Sequence, residues 1–160
     1  MLVVSDTSPI RALAHLDQLD LLQVLFDEVF LPPAVLVELE QPRRGFVPLD
    51  VRSVAFLRVR APADRVVVAE LSATLDRGEA EAIALAIELR ADALLIDEAV
   101  GRAVAQQHGL TAVGVLGVLL RARQRGLIGV IGPLLDRLQN ELGFFIGAEL
   151  RAEVLRRAGE

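Results

Sequence analysis

The chain begins Met1-Leu2-Val3-Val4-Ser5-Asp6-Thr7-Ser8, an apolar run that ends in an acid followed by hydroxyl residues. An unbroken apolar run rich in β-branched residues is typical of a strand that is buried on both faces of a parallel sheet. Ligands of such sheets bind at the carboxyl ends of the strands, which is where Asp6 is expected to lie. Asp6 has a second interpretation, because Asp is a good N-cap and Pro9 suits the first turn of a helix.

A second apolar run ends in the same way, at Leu94-Leu95-Ile96-Asp97. If the two strands are neighbours in the sheet, Asp6 and Asp97 face one another. Two anions a few ångströms apart repel unless a cation neutralises them, one proton is shared or basic side chains intervene. The pattern therefore indicates a site for a hard cation, and carboxylate oxygens favour Mg²⁺ or Mn²⁺.

Glu79 is a candidate for the same site because it begins a helical stripe of small apolar residues, which continues at Ala82, Ile83 and Ala86. Such a stripe predicts that this face packs on the sheet. Its alternative role is a capping box with Asp76, whose spacing fits.

Two more glutamates differ in the placement that their helix faces predict. Glu38 shares its helix side with Ala34 and Val35, which favours an inward position, although Glu40 competes for this role. Glu81 lies on a face that we expect to be exposed.

Composition narrows the class of protein. At 160 residues the chain can bury a core as one domain. Hydrophobic residues make up 53%, yet no apolar stretch reaches the length of a membrane span, about 18 residues. The N-terminus lacks the charged segment and cleavage site of an export signal. The absence of cysteine excludes disulfides, thiolate metal sites and Cys nucleophiles, and we expect a cytoplasmic protein.

The chain has no lysine, so all 17 basic residues are arginine. This excludes P-loop nucleotide hydrolases, Schiff-base enzymes and phosphatases of the haloacid-dehalogenase type, each of which needs a lysine. Because the net charge is −5, nucleic acid would have to bind at local arginine clusters. The Arg43-Arg44 pair lies in a predicted exposed loop at 41–48, where it either contacts phosphate or is solvated.

Turn and breaker residues divide the rest of the chain into short apolar runs that alternate with amphipathic stretches. We therefore expect an α/β fold with a central parallel sheet of about five strands and right-handed crossovers. The predicted strands after the first are 29–31, 54–59, 93–96 and 111–115. The predicted helices are 9–15, 19–26, 34–40, 65–75, 79–90, 98–108 and a stretch that ends at 126.

The C-terminal part, residues 133–160, is expected to be an amphipathic extension of a single domain formed by residues 1–160. Its apolar residues exceed what one small domain usually exposes, which predicts that it covers an edge of the fold or pairs two subunits as a homodimer. Those residues are Leu134, Leu135, Leu138, Phe144, Phe145 and Ile146.

Four stretches, taken in order along the chain, resemble the PIN-domain family. They are Val-Ser-Asp-Thr-Ser-Pro at 4–9, Leu-Pro-Pro-Ala-Val-Leu-Val-Glu-Leu at 31–39, Gly-Glu-Ala-Glu-Ala-Ile-Ala-Leu-Ala at 78–86 and Leu-Leu-Ile-Asp at 94–97. A later Gly-Val-Leu-Gly-Val-Leu-Leu at 114–120 is similar to a prokaryotic PIN-like subgroup. The family contains metal-dependent ribonucleases, among them the toxins of bacterial toxin–antitoxin modules.

This resemblance implies a three-layer α/β/α sandwich in which the strands carrying Asp6 and Asp97 are adjacent. It implies a ribonuclease that uses Mg²⁺ or Mn²⁺, acts on RNA and pairs with an antitoxin protein. The implied catalytic acids are Asp6, Glu38, Glu79 and Asp97, of which Asp6, Glu79 and Asp97 bind the metal. The supporting or substrate-binding residues are Thr7, Ser8 and Arg102, and Arg121 and Arg125 on one predicted helix face are further candidates for phosphate contacts.

Two positions depart from the family pattern. Many PIN toxins have Asp where this chain has Glu79, and Ser or Thr where it has Leu95. A longer carboxylate still binds Mg²⁺, but the missing hydroxyl removes a partner of the metal ligands. The alternative function is therefore a catalytically degenerate PIN-like module that binds nucleic acid or protein.

Overall fold

The computed structural model describes residues 1–160 and contains a five-stranded sheet in which every strand pair is parallel. The strands are β1 (Val3–Ser5), β2 (Val29–Leu31), β3 (Leu57–Val59), β4 (Ala93–Leu95) and β5 (Ala112–Val113). Their order across the sheet is β3-β2-β1-β4-β5, so the chain runs outward from β1 to one edge and then returns past β1 to the other edge. The expected α/β fold is confirmed, and β1 and β4 are neighbours.

Nine α-helices cover the two faces of this sheet. They are α1 (Thr7–His15), α2 (Leu21–Phe26), α3 (Pro33–Glu40), α4 (Arg65–Leu71), α5 (Arg77–Leu89), α6 (Ala99–Gln107), α7 (Val115–Gln124), α8 (Gly132–Leu142) and α9 (Ala148–Arg157). Helices α4, α5 and α6 contribute to the core on one face, and the other six contribute to the core on the opposite face. The molecule is therefore the three-layer sandwich that the resemblance implied.

Strand β1 lies at the centre of the sheet and is buried along its whole length. Val3 packs into the core beneath the larger helical layer, and Val4 packs into the core beneath α4, α5 and α6. Successive side chains of a strand point to opposite faces, so both faces of a central strand must be apolar. This is why the run at the start of the chain shows no alternation of apolar and polar residues.

Helix α5 is buried on all sides over residues 78–86. It contacts α3 and α4 as well as β1 and β4. Glycine and alanine occupy many of these positions, and small side chains allow neighbouring elements to approach closely. Helix α5 therefore carries Glu79 and Glu81 into the interior of the molecule.

Three predicted boundaries are wrong. The strand predicted at 54–59 begins only at Leu57, because residues 54–57 form a turn in which the Leu57 N–H donates to the carbonyl of Val54 at 3.0 Å. The helix predicted at 65–75 ends at Leu71, where the Ser72 hydroxyl donates to the carbonyl of Val68 at 2.8 Å. The strand predicted at 111–115 shortens to β5, because Val115 is already the first residue of α7.

The C-terminal extension packs on the core of the sandwich. Leu135, Leu138 and Ile146 are buried there, whereas Phe145 is 94% exposed. The expectation that the apolar residues of the extension exceed what the domain can cover is wrong for most of them, and a homodimer no longer follows from them. No helix in the molecule combines the length and the apolar character that crossing a bilayer requires.

Candidate functional site

Asp6 and Asp97 follow the carboxyl ends of β1 and β4, the strands between which the direction of the chain across the sheet changes. The Asp6 N–H donates to the carbonyl of Leu95 at 2.9 Å, which holds the end of β1 beside β4. Asp97 Oδ1 accepts the N–H of Val115 at 2.9 Å. The crevice at such a switch point is the usual ligand site of an open α/β sheet.

Asp6 occupies the N-cap position of α1, but its side chain makes no capping hydrogen bond. The residue is only 5% exposed. Taking a carboxylate out of water is unfavourable unless it is paired, protonated or bound to a cation. The capping interpretation therefore does not account for Asp6.

A cavity of about 340 Å³ opens beside Asp6. The predicted site residues that line it are Asp6, Thr7, Ser8, Glu38 and Glu79. They come from the end of β1, from α1, from α3 and from α5. Residues that are far apart in sequence are thus brought to one place by the order of the strands.

Asp97 and Arg102 do not line this cavity but an adjoining one, and Phe144 lines both. The link between the two cavities is Ser8, whose Oγ lies 3.4 Å from Asp97 Oδ2. The structure therefore brings Asp6, Glu38 and Glu79 together directly, and Asp97 lies on the other side of Ser8.

Two acids that the sequence did not single out as site residues also line the cavity, Asp76 and Glu98. Asp76 Oδ1 accepts the N–H of Glu79 at 2.8 Å, so the capping of α5 by Asp76 is confirmed. The cap fixes the first turn of α5 while the Glu79 carboxylate still reaches the cavity, so the two interpretations of Glu79 are compatible. The sequence did contain a signal for each of these two acids. Asp76 has the spacing of a cap for α5, and Glu98 is next to Asp97.

Glu38 is held by two neighbours on α1. The Thr7 hydroxyl donates to Glu38 Oε2, and Arg11 Nη2 donates to the Glu38 carbonyl at 2.7 Å. Glu40 is exposed and does not line the cavity. Of the two glutamates of α3, Glu38 is therefore the one that faces the site.

Glycines allow three of the acids to lie against the backbone of neighbouring elements. A Cβ atom added at Gly78 would lie 2.7 Å from Glu38 Oε1, and one at Gly101 would lie 2.7 Å from Glu79 Oε2. A Cβ at Gly114 would lie 2.7 Å from Asp97 Oδ1. These glycines were missed as site residues, although glycine inside a helix, as at positions 78 and 101, is a signal of close packing.

Glu81 corrects another expectation, because it is 2% exposed rather than on an exposed face. Its Oε2 accepts the N–H of Ala34 at 2.8 Å, and its Oε1 lies 3.3 Å from Arg65 Nη1. Ala34 is in the first turn of α3, where backbone N–H groups lack partners within the helix. Glu81 thus fastens the start of α3 to α5, the two helices that carry Glu38 and Glu79.

The buried carboxylates of the cavity hold their protons more tightly than exposed ones. Burial raises the pKa of Asp6 to about 7. The negative charges of Asp76, Glu38 and Asp97 add to the effect, whereas a hydrogen bond from the backbone N–H of Thr7 opposes it. Burial also raises the pKa of Glu79 to about 8, with a further contribution from the hydrogen bond and charge of Asp76. Five acidic residues line the cavity, whereas the basic residues that line it are two, Arg11 and Arg43, so acidic groups are in excess there.

Arg102 lies beside Asp97. Burial raises the pKa of Asp97, whereas the N–H of Val115 and the positive charge of Arg102 lower it. Arg102 Nη1 donates to the carbonyl of Ile96 at 3.0 Å, which fixes the guanidinium at the end of β4. A phosphate that reaches Asp97 would meet this charge.

Arg121 does not face either cavity. Its guanidinium lies over the ring of Phe26 at 5.8 Å, and its Nη1 is 3.9 Å from Met1 Sδ. Met1 precedes β1, so Arg121 is at the opposite end of that strand from Asp6. The phosphate contact predicted for Arg121 is therefore wrong.

A protein-family model described as PIN domain matches residues 2–160, nearly the whole chain. The chain belongs to the PIN-domain family. This confirms the family that the four sequence stretches suggested. Comparison with curated proteins and with solved structures found no match.

PIN domains are generally nucleases that use divalent metals, and the donor set of this cavity fits a hard cation. Its titratable acids offer carboxylate oxygens, which Mg²⁺ and Mn²⁺ prefer, and the acidic side chains that line it outnumber the basic ones. As the side chains stand, no group of three or more His, Cys, Asp or Glu is arranged to hold an ion. A cation would therefore draw the carboxylates of this PIN domain closer together.

Proposed function

We propose that this PIN domain hydrolyses phosphodiester bonds of RNA with Mg²⁺ or Mn²⁺. The observation that supports the proposal best is the set of carboxylates around one cavity at the switch point of the sheet: Asp6, Glu38, Asp76, Glu79 and Glu98. A structural role needs no such concentration of acidic groups, because the charges of neighbouring acids add to the effect of burial in raising the pKa of Asp6 and of Glu79.

The proposed metal ligands are Asp6, Glu79 and Asp97, since Mg²⁺ and Mn²⁺ prefer carboxylate oxygens. When bound, the cation lowers the pKa of a water molecule and offsets the negative charge on the reacting phosphate. The protein's own contribution is to bury the carboxylates of Asp6 and Glu79 in surroundings where water screens their charges poorly, while Asp97 stays half-buried.

The remaining predicted residues orient these groups or meet the substrate. Thr7 fixes the carboxylate of Glu38, which would then accept a proton from the attacking water. Ser8 lies between the cavity and Asp97, with its Oγ 3.4 Å from Asp97 Oδ2, and its proposed role is to support that side chain. The proposed role of Arg102 is to bind a phosphate oxygen, and the fixed position of its guanidinium at the end of β4 supports this role.

Cleavage of RNA by the Asp6→Asn variant tests the proposal, because the change keeps the size of the side chain and removes its charge. We expect the rate in Mg²⁺ or Mn²⁺ to fall by about 100-fold or more. Asp20→Asn is the matched control, since Asp20 is exposed and makes no capping bond through its side chain, and its cleavage rate should equal that of the wild type. Cleavage at the wild-type rate by Asp6→Asn contradicts the assignment.

We infer further that the protein works in the cytoplasm as the toxin of a toxin–antitoxin module, with an antitoxin protein as its partner. The resemblance to toxin ribonucleases supports this role, and the exposed Phe145 offers an apolar contact to a partner. Expression that stops bacterial growth with the wild type but not with Asp6→Asn would support it, and equal growth would contradict it. A homodimer stays a prediction, which light scattering of the purified protein tests.

A second candidate function is a PIN domain that binds RNA or protein without cutting. Two observations favour it: no three acids are arranged to hold an ion, and Leu95 is fully buried in the apolar core where many relatives have a hydroxyl residue. Such a protein would bind RNA and leave it intact in Mg²⁺ and in Mn²⁺. Any cleavage that the Asp6→Asn change abolishes contradicts this candidate.

A further inference from the structure

The loop at 41–48 contains a tight turn that places Arg43 opposite Phe46. The Phe46 N–H donates to the Arg43 carbonyl at 2.9 Å, and the two residues form an isolated antiparallel bridge. Gly45 provides the left-handed backbone of this turn, with φ of +86°. Side chains of directly opposed residues extend to the same side, so the turn brings those of Arg43 and Phe46 together.

Two guanidinium groups lie over the ring of Phe46. The Cζ atom of Arg11 is 5.1 Å from the ring centroid and that of Arg43 is 5.5 Å away, within the range of cation–π attraction. We call Arg11, Arg43 and Phe46 the arginine–phenylalanine cluster. Burial and the nearby charge of Arg43 lower the pKa of Arg11 below its usual range. The cluster thus holds two positive charges close enough to repel, and an anion between them would relieve that repulsion.

The two arginines differ in the hydrogen bonds and salt bridges that they make within the protein. Arg11 donates to the Glu38 carbonyl at 2.7 Å and so is tied to the end of α3. Arg43 is exposed and takes part in none of the salt bridges of the molecule. The guanidinium of Arg43 is therefore available to a ligand, and the ring of Phe46 limits its motion.

The cluster forms one wall of the acidic cavity, since Arg11, Arg43 and Phe46 all line it. Arg11 and Arg43 also line a third, polar cavity of about 340 Å³, together with Glu38 and Asp76. An RNA strand whose phosphate reaches the carboxylates has further phosphates on either side of it. The protein has a net charge of −5, so RNA phosphates are attracted only where arginines are close together. The guanidiniums of Arg11 and Arg43, which line both cavities, form such a pair.

We propose that the arginine–phenylalanine cluster binds a backbone phosphate of single-stranded RNA next to the phosphate that enters the acidic cavity. Arg43 contacts the phosphate directly, and Phe46 is a positioning residue that holds both guanidiniums. The inference rests on the proposed function for the identity of the ligand. It does not depend on whether the bond is cut.

The test measures the affinity of the protein for a short fluorescent single-stranded RNA by anisotropy, in Ca²⁺, at several salt concentrations, with a gel to confirm that the RNA stays intact. The variants are Arg43→Ala and Phe46→Leu. Arg44→Ala is the matched control, because Arg44 is the next residue, is equally exposed and carries the same charge, but does not contact the ring. Thermal unfolding of each variant shows whether the fold is kept.

We expect Arg43→Ala to weaken binding about tenfold at low salt and to reduce the slope of log affinity against log salt by about 0.7, the loss of one phosphate contact on a single strand. Phe46→Leu keeps every charge but loses the cation–π contacts, and we expect about threefold to tenfold weaker binding. Arg44→Ala should change the affinity by less than about twofold, with an unchanged salt slope. Arg43→Lys should keep the slope while recovering only part of the affinity.

Equal losses in Arg43→Ala and Arg44→Ala overturn the inference, because the loop would then act only as diffuse charge. A Phe46→Leu variant that unfolds earlier but binds RNA like the wild type also overturns it, since the ring would then serve the fold alone. If Arg43→Ala binds RNA with wild-type affinity and cleavage still requires Asp6, the role of the cluster is contradicted but the proposed hydrolysis is supported. If RNA binding depends on Arg43 but no cleavage occurs, the role of the cluster is supported and the proposed hydrolysis is contradicted.

Discussion

Glycines at the site determine how closely each acid approaches a neighbouring backbone. Gly101 in α6 and Gly78 in α5 are buried, and their missing side chains leave the space that the carboxylates of Glu79 and Glu38 occupy. Glycine inside a helix costs about 1 kcal/mol relative to alanine, so its presence at such positions needs a reason. At Gly101 that reason is contact with Glu79 and with the side chain of Ile96.

Substitution of Gly101 by alanine should separate the site from the stability of the fold. The added Cβ would lie 2.7 Å from Glu79 Oε2 and 2.7 Å from Ile96 Cδ1, so both side chains must move. The cost of overpacking, about 1–3 kcal/mol, is partly offset by the gain in helix propensity of about 1 kcal/mol. We expect the free energy of unfolding in urea to fall by less than about 2 kcal/mol and RNA cleavage to fall by more than about tenfold.

Gly129→Ala is the control for this substitution, because no atom beyond Gly129 and its two chain neighbours lies within 4 Å of the position that its Cβ would take. Its cleavage rate and stability should match the wild type. If Gly101→Ala is folded and cleaves RNA like Gly129→Ala, the contact with Glu79 has no functional importance.

The position of a site residue was predictable from the sequence where that residue directly follows a strand. Asp6 and Asp97 each follow an apolar run, and the run fixes both the strand and the end at which the acid lies. The glycines were not predictable in this way, because their role depends on which side chain of another element approaches them. A residue that acts by leaving space carries no chemical signal of its own.

At the scale of elements, the relative position of α3 and α5 decides whether Glu38 and Glu79 meet. Glu81 on α5 joins them by accepting the N–H of Ala34 in the first turn of α3. The ion pair that Glu81 forms with Arg65 adds little, since the Arg65 side chain is 56% exposed and water screens it. The hydrogen bond to the backbone is the stronger of the two contacts, because the acceptor is charged and buried.

Removal of this contact by Glu81→Ala should destabilise the protein by about 2–3 kcal/mol, because it leaves the N–H of Ala34 without a partner and opens a space beside α3. Urea unfolding measures the effect. Glu88→Ala is a close control, since Glu88 is on the same helix and also accepts a backbone N–H, that of Ala63 at 2.8 Å, but is exposed. We expect it to cost less than about 1 kcal/mol. Equal losses in the two variants would show that burial of Glu81 does not matter.

The exposure of Glu81 was predicted incorrectly because α5 is not an ordinary surface helix. Helical periodicity identifies a buried stripe only when the opposite face meets water. Residues 78–86 are buried on every side by α3, α4, β1 and β4, so the pattern of α5 could not distinguish an exposed face. The C-terminal extension shows the complementary case, because Leu135 and Leu138 cover a core whose existence the local sequence does not reveal.

The candidate site is a property of the whole molecule. Asp6 and Asp97 become neighbours because β1 pairs with β4, and Glu38 and Glu79 arrive on helices that follow β2 and β3. The fold collects these acids at the carboxyl end of the sheet, where Asp6 and Glu79 are buried and Glu38 and Asp97 are half-buried. Protons or a cation must then balance the charge, which links the state of the site to pH.

Protons and a metal ion compete for the same carboxylates, and this competition determines how metal binding depends on pH. Burial raises the pKa of Asp6 to about 7 and that of Glu79 to about 8, so below these values the carboxyl groups hold protons that a metal must displace. As the pH rises through this range the protons leave and the oxygens become available as ligands. Metal binding should therefore strengthen with increasing pH.

Calorimetric titration of Mn²⁺ into the wild type at about pH 6 and about pH 8 tests the claim that the acidic cavity is a cation site most directly. The predicted result is binding that is at least about tenfold tighter at the higher pH, that Asp6→Asn weakens by about tenfold or more, and that Asp20→Asn leaves unchanged. Absence of binding at both values, or binding by Asp6→Asn equal to that of the wild type, would contradict the account.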